Sequence, residues 1–202
     1  MQEDDKVWFD TYHKFAGICA EVSEPKLIQN TLLLAHFPAT LAKLETSLES
    51  AAIGFRRYSP SDNGTLCSTD GRVVTGLVRS FQPGPAQLGN PFLRTLQIIV
   101  AEHHPIYGRD KYVIDTAEGW HCKPAVCFHI GLDDPLMQHF GSDQIVSLFK
   151  KLGADEADPI SNPLVTRAIR GAQLKIETQV PKDLQAESIE DWFRYNLKKE
   201  WG

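Results

Sequence analysis

The sequence predicts an α+β fold with N-terminal helices, a central antiparallel meander sheet, and C-terminal helices with one returning strand. Apolar residues recur at three- and four-residue spacing in the first fifty-odd residues, which indicates helices. The candidate strands in the middle of the chain are joined by short connections, which are typical of antiparallel pairs. A chain of 202 residues without an internal repeat or a long linker predicts one domain spanning residues 1–202.

The N-terminal region is predicted to be a helical layer. One apolar stripe, which would lie on a single helical face, consists of Val7, Trp8, Tyr12, Phe15, Ile18 and Cys19. Residues 27–36 form a second apolar stretch. Pro38 is suited to the first position of a third helix, and Gly54 is a natural end for it.

The middle of the chain is predicted to be the meander. Phe55–Ser59 is a short candidate strand, and Asp70-Gly71 is typical of a tight hairpin turn. The central strands are expected at Leu93–Glu102 and Trp120–Ile130. Between them, residues 103–110 would form a hairpin loop and residues 111–115 a connecting strand.

The C-terminal region is predicted to return to helices. Ser142 is expected to cap one helix, and Asn162 a short one that ends at Gly171. Residues 172–180 alternate polar and apolar side chains, which predicts a half-buried strand, and a last helix is expected from Ser188. The predicted core contains Leu96, Ile98, Val100, Phe128, Phe149, Leu174, Ile176 and Phe193.

Composition excludes several classes of protein. A net charge of −5 argues against a general nucleic-acid-backbone binder, which needs a surplus of lysine and arginine. The acidic N-terminus lacks the order of a signal peptide, and no stretch approaches the ~18 apolar residues of a membrane span. These observations predict a cytoplasmic, soluble protein that does not enter a membrane. Its cysteines, at 19, 67, 122 and 127, are expected to be reduced.

No established motif for nucleotide, zinc or nucleophilic chemistry is present. The densest group of reactive side chains lies at residues 120–131. In an extended strand Cys127 and His129 would share one face, and with His104 as a third ligand they are the candidate metal site. The alternative is that the cysteine fills space as a small apolar residue.

The predicted hairpin loop supplies the candidate catalytic residues, His104, Tyr107 and Arg109. Histidine can act as a general acid or base near neutral pH, and arginine can orient an anionic substrate. The alternative is an ordinary polar hairpin tip.

Because no catalytic constellation can be assembled, the sequence favours a non-catalytic interaction or regulatory domain that binds a protein partner through an apolar sheet and helix surface. Trp192 and Trp201 are the candidate partner-binding residues, and packing of these aromatic side chains in the core is the favoured alternative. The first alternative is a small-molecule-binding protein or enzyme with a histidine-lined pocket. The second is binding of an anion or nucleic acid by the basic pairs at 56–57, 150–151 and 167/170. The sequence does not identify a cofactor.

Overall fold

The protein is described from a computed structural model that covers residues 2–24, 30–62, 73–83, 96–120, 122, 124–139 and 156–197. These residues form a seven-stranded sheet in the order β3-β4-β2-β5-β6-β1-β7. The strands are β1 Lys6–Trp8, β2 Asn30–Ala35, β3 Phe55–Arg57, β4 Val73–Leu77, β5 Leu96–Val100, β6 Ala125–Gly131 and β7 Ile160–Ser161. The helices are α1 Thr11–Ser23, α2 Pro38–Ser50, α3 Tyr107–Glu118, α4 Pro135–His139, α5 Pro163–Glu177 and α6 Ile189–Asn196.

The sheet is parallel except at one edge. β2 pairs with β4 and with β5 in parallel, and β5 pairs in parallel with β6, with Ile98 opposite Val126. Among the strands described, only β7 runs antiparallel, against β1. β2, β5 and β6 are buried along their whole length. Continuous burial is what a parallel sheet covered on both faces requires.

The predicted antiparallel meander is therefore wrong. β5 lies inside its predicted segment, and β6 lies inside its own except for the last residue, Gly131. The two strands run in parallel because α3 joins them as a crossover helix. Residues 103–115 were predicted as a loop and a strand. Asp110, Val113, Ile114 and Ala117 are all buried on α3 at the three- and four-residue spacing of one helical face. That spacing was the signal for the crossover.

The N-terminal region also differs from the predicted helical layer. Val7 and Trp8 belong to β1, which pairs in parallel with β6, and the helix begins only at Thr11. Residues 30–35 form β2, the strand between β4 and β5, rather than a second helix. An apolar run this short is compatible with a helix or a fully buried strand, and periodicity does not separate the two.

The predicted returning strand at residues 172–180 is wrong as well. Asn162 caps the helix there as expected, since its side chain accepts a hydrogen bond from the Leu164 amide. The helix continues through Gly171 to Glu177. Its buried residues, Ile169, Gln173 and Ile176, follow helical spacing rather than alternation.

Helices cover both faces of the sheet. α1 and α2 pack on one face, where Phe15, Ile18 and Leu44 meet Leu33 and Ile99 in one apolar cluster. α3 packs on the opposite face in a second cluster, against strand residues that include Leu32, Leu34, Ile98, Val100 and Phe128. A third cluster joins β1 and β6 to α4, α5 and α6. The fold is a layered α/β arrangement with the sheet in the middle.

Several predicted elements and core positions agree with the structure. α2 begins at Pro38, Phe55–Arg57 is a strand, and Ser188 caps α6 by accepting a hydrogen bond from the Asp191 amide. The buried predicted core residues are Leu96, Ile98, Val100, Phe128 and Ile176. Phe193 is partly buried, whereas Leu174 is 45% exposed because it lies on the outer face of α5.

Other predictions fall outside the described residues: the hairpin turn at residues 70–71, the helix capped by Ser142, and the positions Cys67, Phe149 and Trp201. None of the described helices is long and apolar enough to cross a membrane.

Candidate functional site

The carboxyl ends of β2 and β5 open a crevice in the sheet. From β2 the chain continues into α2 on one face, and from the neighbouring β5 it continues into α3 on the other. Ligands of open α/β sheets bind where adjacent strands diverge in this way. His36 and Phe37 follow β2, and residues 102–104 follow β5, so the chain order brings these side chains together.

Glu102 lies at the first turn of α2. Its Oε1 accepts hydrogen bonds from the amides of His36 at 3.0 Å and Phe37 at 2.9 Å, and its Oε2 accepts one from the Thr40 hydroxyl at 2.6 Å. Burial raises the pKa of Glu102, and these hydrogen bonds and the neighbouring positive charges only partly offset it. Free helix amides attract anions. In this chain a side chain of the protein itself already takes that position.

Asp110, on the first turn of α3, is the centre of a buried polar network. It accepts hydrogen bonds from His103 Nδ1 at 2.7 Å, the His104 amide at 3.0 Å and Gln173 Nε2 at 2.5 Å. His36 Nε2 lies 2.7 Å from Asp110 Oδ1, the oxygen that also accepts from the His104 amide. Burial alone would raise the pKa of Asp110, but His103 and His36 hold it well below its usual range. Asp110 is therefore a buried negative charge that joins the loop after β2 and the loop after β5 to helix α5.

The two histidines after β5 differ in protonation. Burial alone would lower the pKa of His103, but the carboxylates of Asp5 and Asp110 outweigh it and raise the pKa to about 10. His103 is therefore a cation at neutral pH. Burial lowers the pKa of His104 to about 3, so this ring is neutral, and its Nδ1 accepts a hydrogen bond from the Ile106 amide.

A cavity of about 200 Å³ lies at the carboxyl ends of β2, β4 and β5, and we call it the carboxyl-edge cavity. His36 and His104 line its inner side, while Arg79, Arg109 and Tyr112 lie nearer its mouth. Arg79 follows β4 directly and is exposed. The cavity therefore combines two imidazole rings with two guanidinium groups, which favours an anionic ligand.

The segment between α5 and α6 forms the remaining wall of this cavity. Asp183 accepts hydrogen bonds from Arg109 Nε at 2.7 Å and from the Trp192 indole at 2.8 Å. The Glu187 carbonyl accepts a hydrogen bond from the Ala39 amide in α2. The C-terminal part of the chain is thus fastened to the edge where the ligand would enter.

A second cavity, of about 190 Å³, lies between α3, α5 and the N-terminal segment, and we call it the α3–α5 cavity. Asp5, His103 and Asp110 line its inner end, and Arg167 and Arg170 line it from α5. Asp5 is 1% exposed. The polar network around Asp110 therefore reaches both cavities.

The candidate metal ligands lie in two places. Cys127 and His129 sit two residues apart on β6, where Trp8 donates an indole hydrogen bond to His129 Nδ1 at 3.2 Å and Glu21 lies 3.5 Å from His129 Nε2. His104 is in the carboxyl-edge cavity. Burial raises the pKa of the Cys127 thiol to about 12 and lowers the pKa of His129 to about 3. In the part of the chain that the structure describes, no three His, Cys, Asp or Glu side chains are arranged to hold a metal ion.

The candidate catalytic residues are brought only partly together. His104 and Arg109 both line the carboxyl-edge cavity, whereas Tyr107 lines the α3–α5 cavity. Tyr107 and Arg109 were expected on a hairpin loop but belong to the first turn of α3. Trp192, a candidate for partner binding, is fully buried, as the alternative explanation of core packing predicts.

Sequence reasoning missed His36, Glu102 and Asp5 as site residues and Asp110 as the centre of the network. Their positions in the sequence could have indicated the site, because His36 comes directly after β2 and Glu102 comes two residues after the end of β5. Using this positional signal required the prediction of β2 as a strand.

The chain resembles known proteins over a limited length. No family model matches it. It is 50% identical over 50 residues to the protein translocase subunit SecA of Maridesulfovibrio salexigens, and 48% identical over 52 residues to that of Acidithiobacillus ferrooxidans. These segments are 25% and 26% of this chain. The chain spans only 6% of the length of these curated relatives.

Two solved structures are similar at low identity. A chain in the crystal structure of the E. coli DEAD-box protein SrmB bound to regulator of ribonuclease activity A has a TM-score of 0.45 and 12% identity, over 68% of this chain and 83% of that one. The C-terminal part of the Fun30 ATPase domain has a TM-score of 0.41 and 15% identity, over 78% and 53%. Neither TM-score reaches 0.5, so the fold assignment rests on the strand pairing of this chain.

The predicted function and its antiparallel, protein-binding surface are wrong. Among the described residues the sheet is parallel except for β7, and helices pack on both of its faces rather than leaving the predicted apolar surface open. The curated relatives that match are protein translocase subunits rather than interaction domains. What the chain is similar to is a short segment of SecA.

Proposed function

We propose that this chain is a translocase-related α/β domain that binds a nucleoside triphosphate, with the phosphate groups in the carboxyl-edge cavity. The observation that carries the proposal is the position of this cavity. It lies at the carboxyl ends of β2, β4 and β5, at the point where the connections from β2 and β5 pass to opposite faces.

The charges around the cavity support an anionic ligand. Arg79 carries a guanidinium group at the mouth, and Arg109 carries a second one that is paired with Asp183. Arginine binds phosphate oxygens through two parallel N–H donors. The amides of the first turn of α2 are occupied by Glu102, so the arginines rather than the helix terminus would recruit the phosphates.

A fluorescent nucleotide analogue tests this proposal through its anisotropy. Arg79→Gln removes one charge-assisted contact, worth about 1.5–3 kcal/mol, so the affinity should fall at least about tenfold. Arg194→Gln is the matched control, because Arg194 is an exposed arginine paired with Asp191 on α6. If the native protein does not bind the analogue, or if Arg79→Gln binds it as tightly as the native protein does, the proposal is wrong.

The identity to a protein translocase subunit supports a role in protein translocation, with the translocated proteins as partners. We place this role in the cytoplasm as part of the proposal. Deleting the gene in its source organism should leave precursors of exported proteins inside the cell. Re-introducing the native gene should restore export, whereas an Arg79→Gln gene should restore it less well. Unchanged export in the deletion strain would contradict this role.

A further inference from the structure

We propose that the α3–α5 cavity is a binding site for a small zwitterion, a free α-amino acid, whose ammonium group binds Asp5 and whose carboxylate binds the arginines of α5. This site is separate from the carboxyl-edge cavity and does not rest on the nucleotide proposal.

Asp5 carries the first part of the argument. Its side chain is 1% exposed and lines the cavity. Neither carboxylate oxygen accepts a hydrogen bond from any residue that the structure describes. His103 Nε2 lies 3.2 Å from Oδ2, close enough for an ion pair but without the alignment of a hydrogen bond. A buried carboxylate that has one ion-pair neighbour and no aligned hydrogen-bond donor is costly and calls for a further partner.

The position of Asp5 is fixed by the fold rather than by chance contacts. Its amide donates a hydrogen bond to the Thr166 hydroxyl of α5 at 3.0 Å, and β1 begins at the next residue. Upstream, the Glu3 amide donates to the Val126 carbonyl on β6. Hydrogen bonds of the backbone at Asp5 and at Glu3 therefore hold the Asp5 carboxylate at the inner end of the cavity.

The charge balance of the inner end favours a cation. Asp5 and Asp110 flank the single imidazole ring of His103, at 3.2 and 2.7 Å. Asp110 has a second imidazole neighbour in His36, at 2.7 Å, whereas His103 is the one cationic side chain that the described residues place beside Asp5. An ammonium group would supply three hydrogen-bond donors and a second positive charge for Asp5.

The outer part of the cavity has the opposite charge. Arg167 and Arg170 are exposed, lie one turn apart on α5, and both line the cavity. The guanidinium of Arg170 lies 4.4 Å from the centre of the Tyr107 ring, a cation–π contact that restricts its orientation. An arginine oriented in advance binds a carboxylate at a lower cost in entropy.

The volume limits the size of the ligand. About 190 Å³ corresponds to roughly six water molecules at about 30 Å³ each. This is sufficient to hold a whole small amino acid, whereas a peptide would extend beyond the cavity. A negative inner end, a positive mouth and this volume together define the chemical class.

Isothermal titration calorimetry of the full chain with each of the common amino acids tests the proposal. At least one small amino acid should bind, whereas methylamine and acetate, which each carry half of the ligand's charges, should bind at least about tenfold more weakly. Arg170→Gln and Asp5→Asn should each reduce the affinity at least about tenfold. Arg194→Gln is the matched control, since Arg194 also lies over a tyrosine ring, at 5.1 Å.

Arg170 is exposed, so its variant tests the site even if Asp5→Asn does not fold. No heat of binding for any amino acid up to about 10 mM would overturn the proposal and leave water as the partner of Asp5. Binding that is unchanged in Arg170→Gln would also overturn it. Arg79→Gln should leave amino acid binding unchanged, which separates this result from failure of the nucleotide proposal.

Discussion

Replacing Asp110 by asparagine should destabilise the protein strongly without changing the size of the side chain. Asp110 is 2% exposed and accepts three hydrogen bonds, from His103, His104 and Gln173. The His103 and Gln173 donors share Oδ2. In the variant, an amide NH₂ placed there would face two donors, and one placed at Oδ1 would face the His104 amide.

The expected loss follows from the buried charge left behind. His103 would remain a buried cation with one of its two carboxylate partners removed. Removing one partner of a buried ion pair costs about 3–5 kcal/mol. With a urea m-value of at most about 3 kcal/mol/M, the unfolding midpoint should fall by at least about 1 M.

Urea unfolding followed by far-UV circular dichroism measures this loss. Asp115→Asn is the matched control, since Asp115 lies on the same helix, is 56% exposed and pairs only with Lys111 at the surface. That change should cost no more than about 0.5 kcal/mol. If the midpoint of Asp110→Asn lies as close to the native value as that of Asp115→Asn, the buried network does not stabilise the fold as described.

Three further predictions concern the network and the packing of the sheet. The two carboxylate neighbours of His103 raise its pKa from the ordinary 6.5 to about 10. The stabilisation that protonated His103 provides is therefore complete below pH 6.5 and is lost as the pH rises towards 10. In urea unfolding, His103→Gln should flatten the dependence of stability on pH between these two values. Gly171→Ala should stabilise the protein by about 0.5–1 kcal/mol, because Gly171 is inside α5 with open space where a Cβ would lie. Gly17→Ala should destabilise it by about 1–3 kcal/mol, because the added Cβ would lie 1.9 Å from a ring carbon of Trp8. Differential scanning calorimetry should therefore show Tm shifts of opposite sign. Ile98→Ala should cost about 2–5 kcal/mol in urea unfolding and Leu174→Ala less than about 0.5 kcal/mol, and equal losses would contradict the placement of the two side chains.

The sequence correctly predicted the helix starts that are determined by nearby residues. The proline at the start of α2, the asparagine cap of α5 and the serine cap of α6 are each recognised by side chains within three residues of the helix start. These signals depend on backbone groups nearby in the chain, so no tertiary information is needed to interpret them.

The relative direction of the strands could not be predicted from such local signals. All six residues of β2 are buried, and burial on both faces removes the alternation that identifies a strand. The polar residues at the start of α3 resembled a hairpin loop, although Asp110 is buried there as the acceptor for three segments. A buried carboxylate with several donors is recognised only when those donors, which come from distant parts of the chain, are in place.

The candidate site depends on strand order for the same reason. His36 and Asp110 are separated by 74 positions in the chain, yet they lie 2.7 Å apart because β2 and β5 are neighbours. Sequence reasoning grouped His104 with Arg109, which are close in the chain, and these do line the same cavity. It could not add His36 or Arg79, whose place in the cavity follows from the order of the strands.

An NMR titration with a nucleoside triphosphate tests the central claim most directly, because backbone amide shifts report where the ligand binds. We predict that the shifts concentrate at the carboxyl ends of β2, β4 and β5, around His36, Arg79 and His104. The amino ends of the same strands, around Asn30 and Leu96, should be unaffected. Shifts confined to the amino ends, or no shifts at saturating nucleotide, would contradict the account.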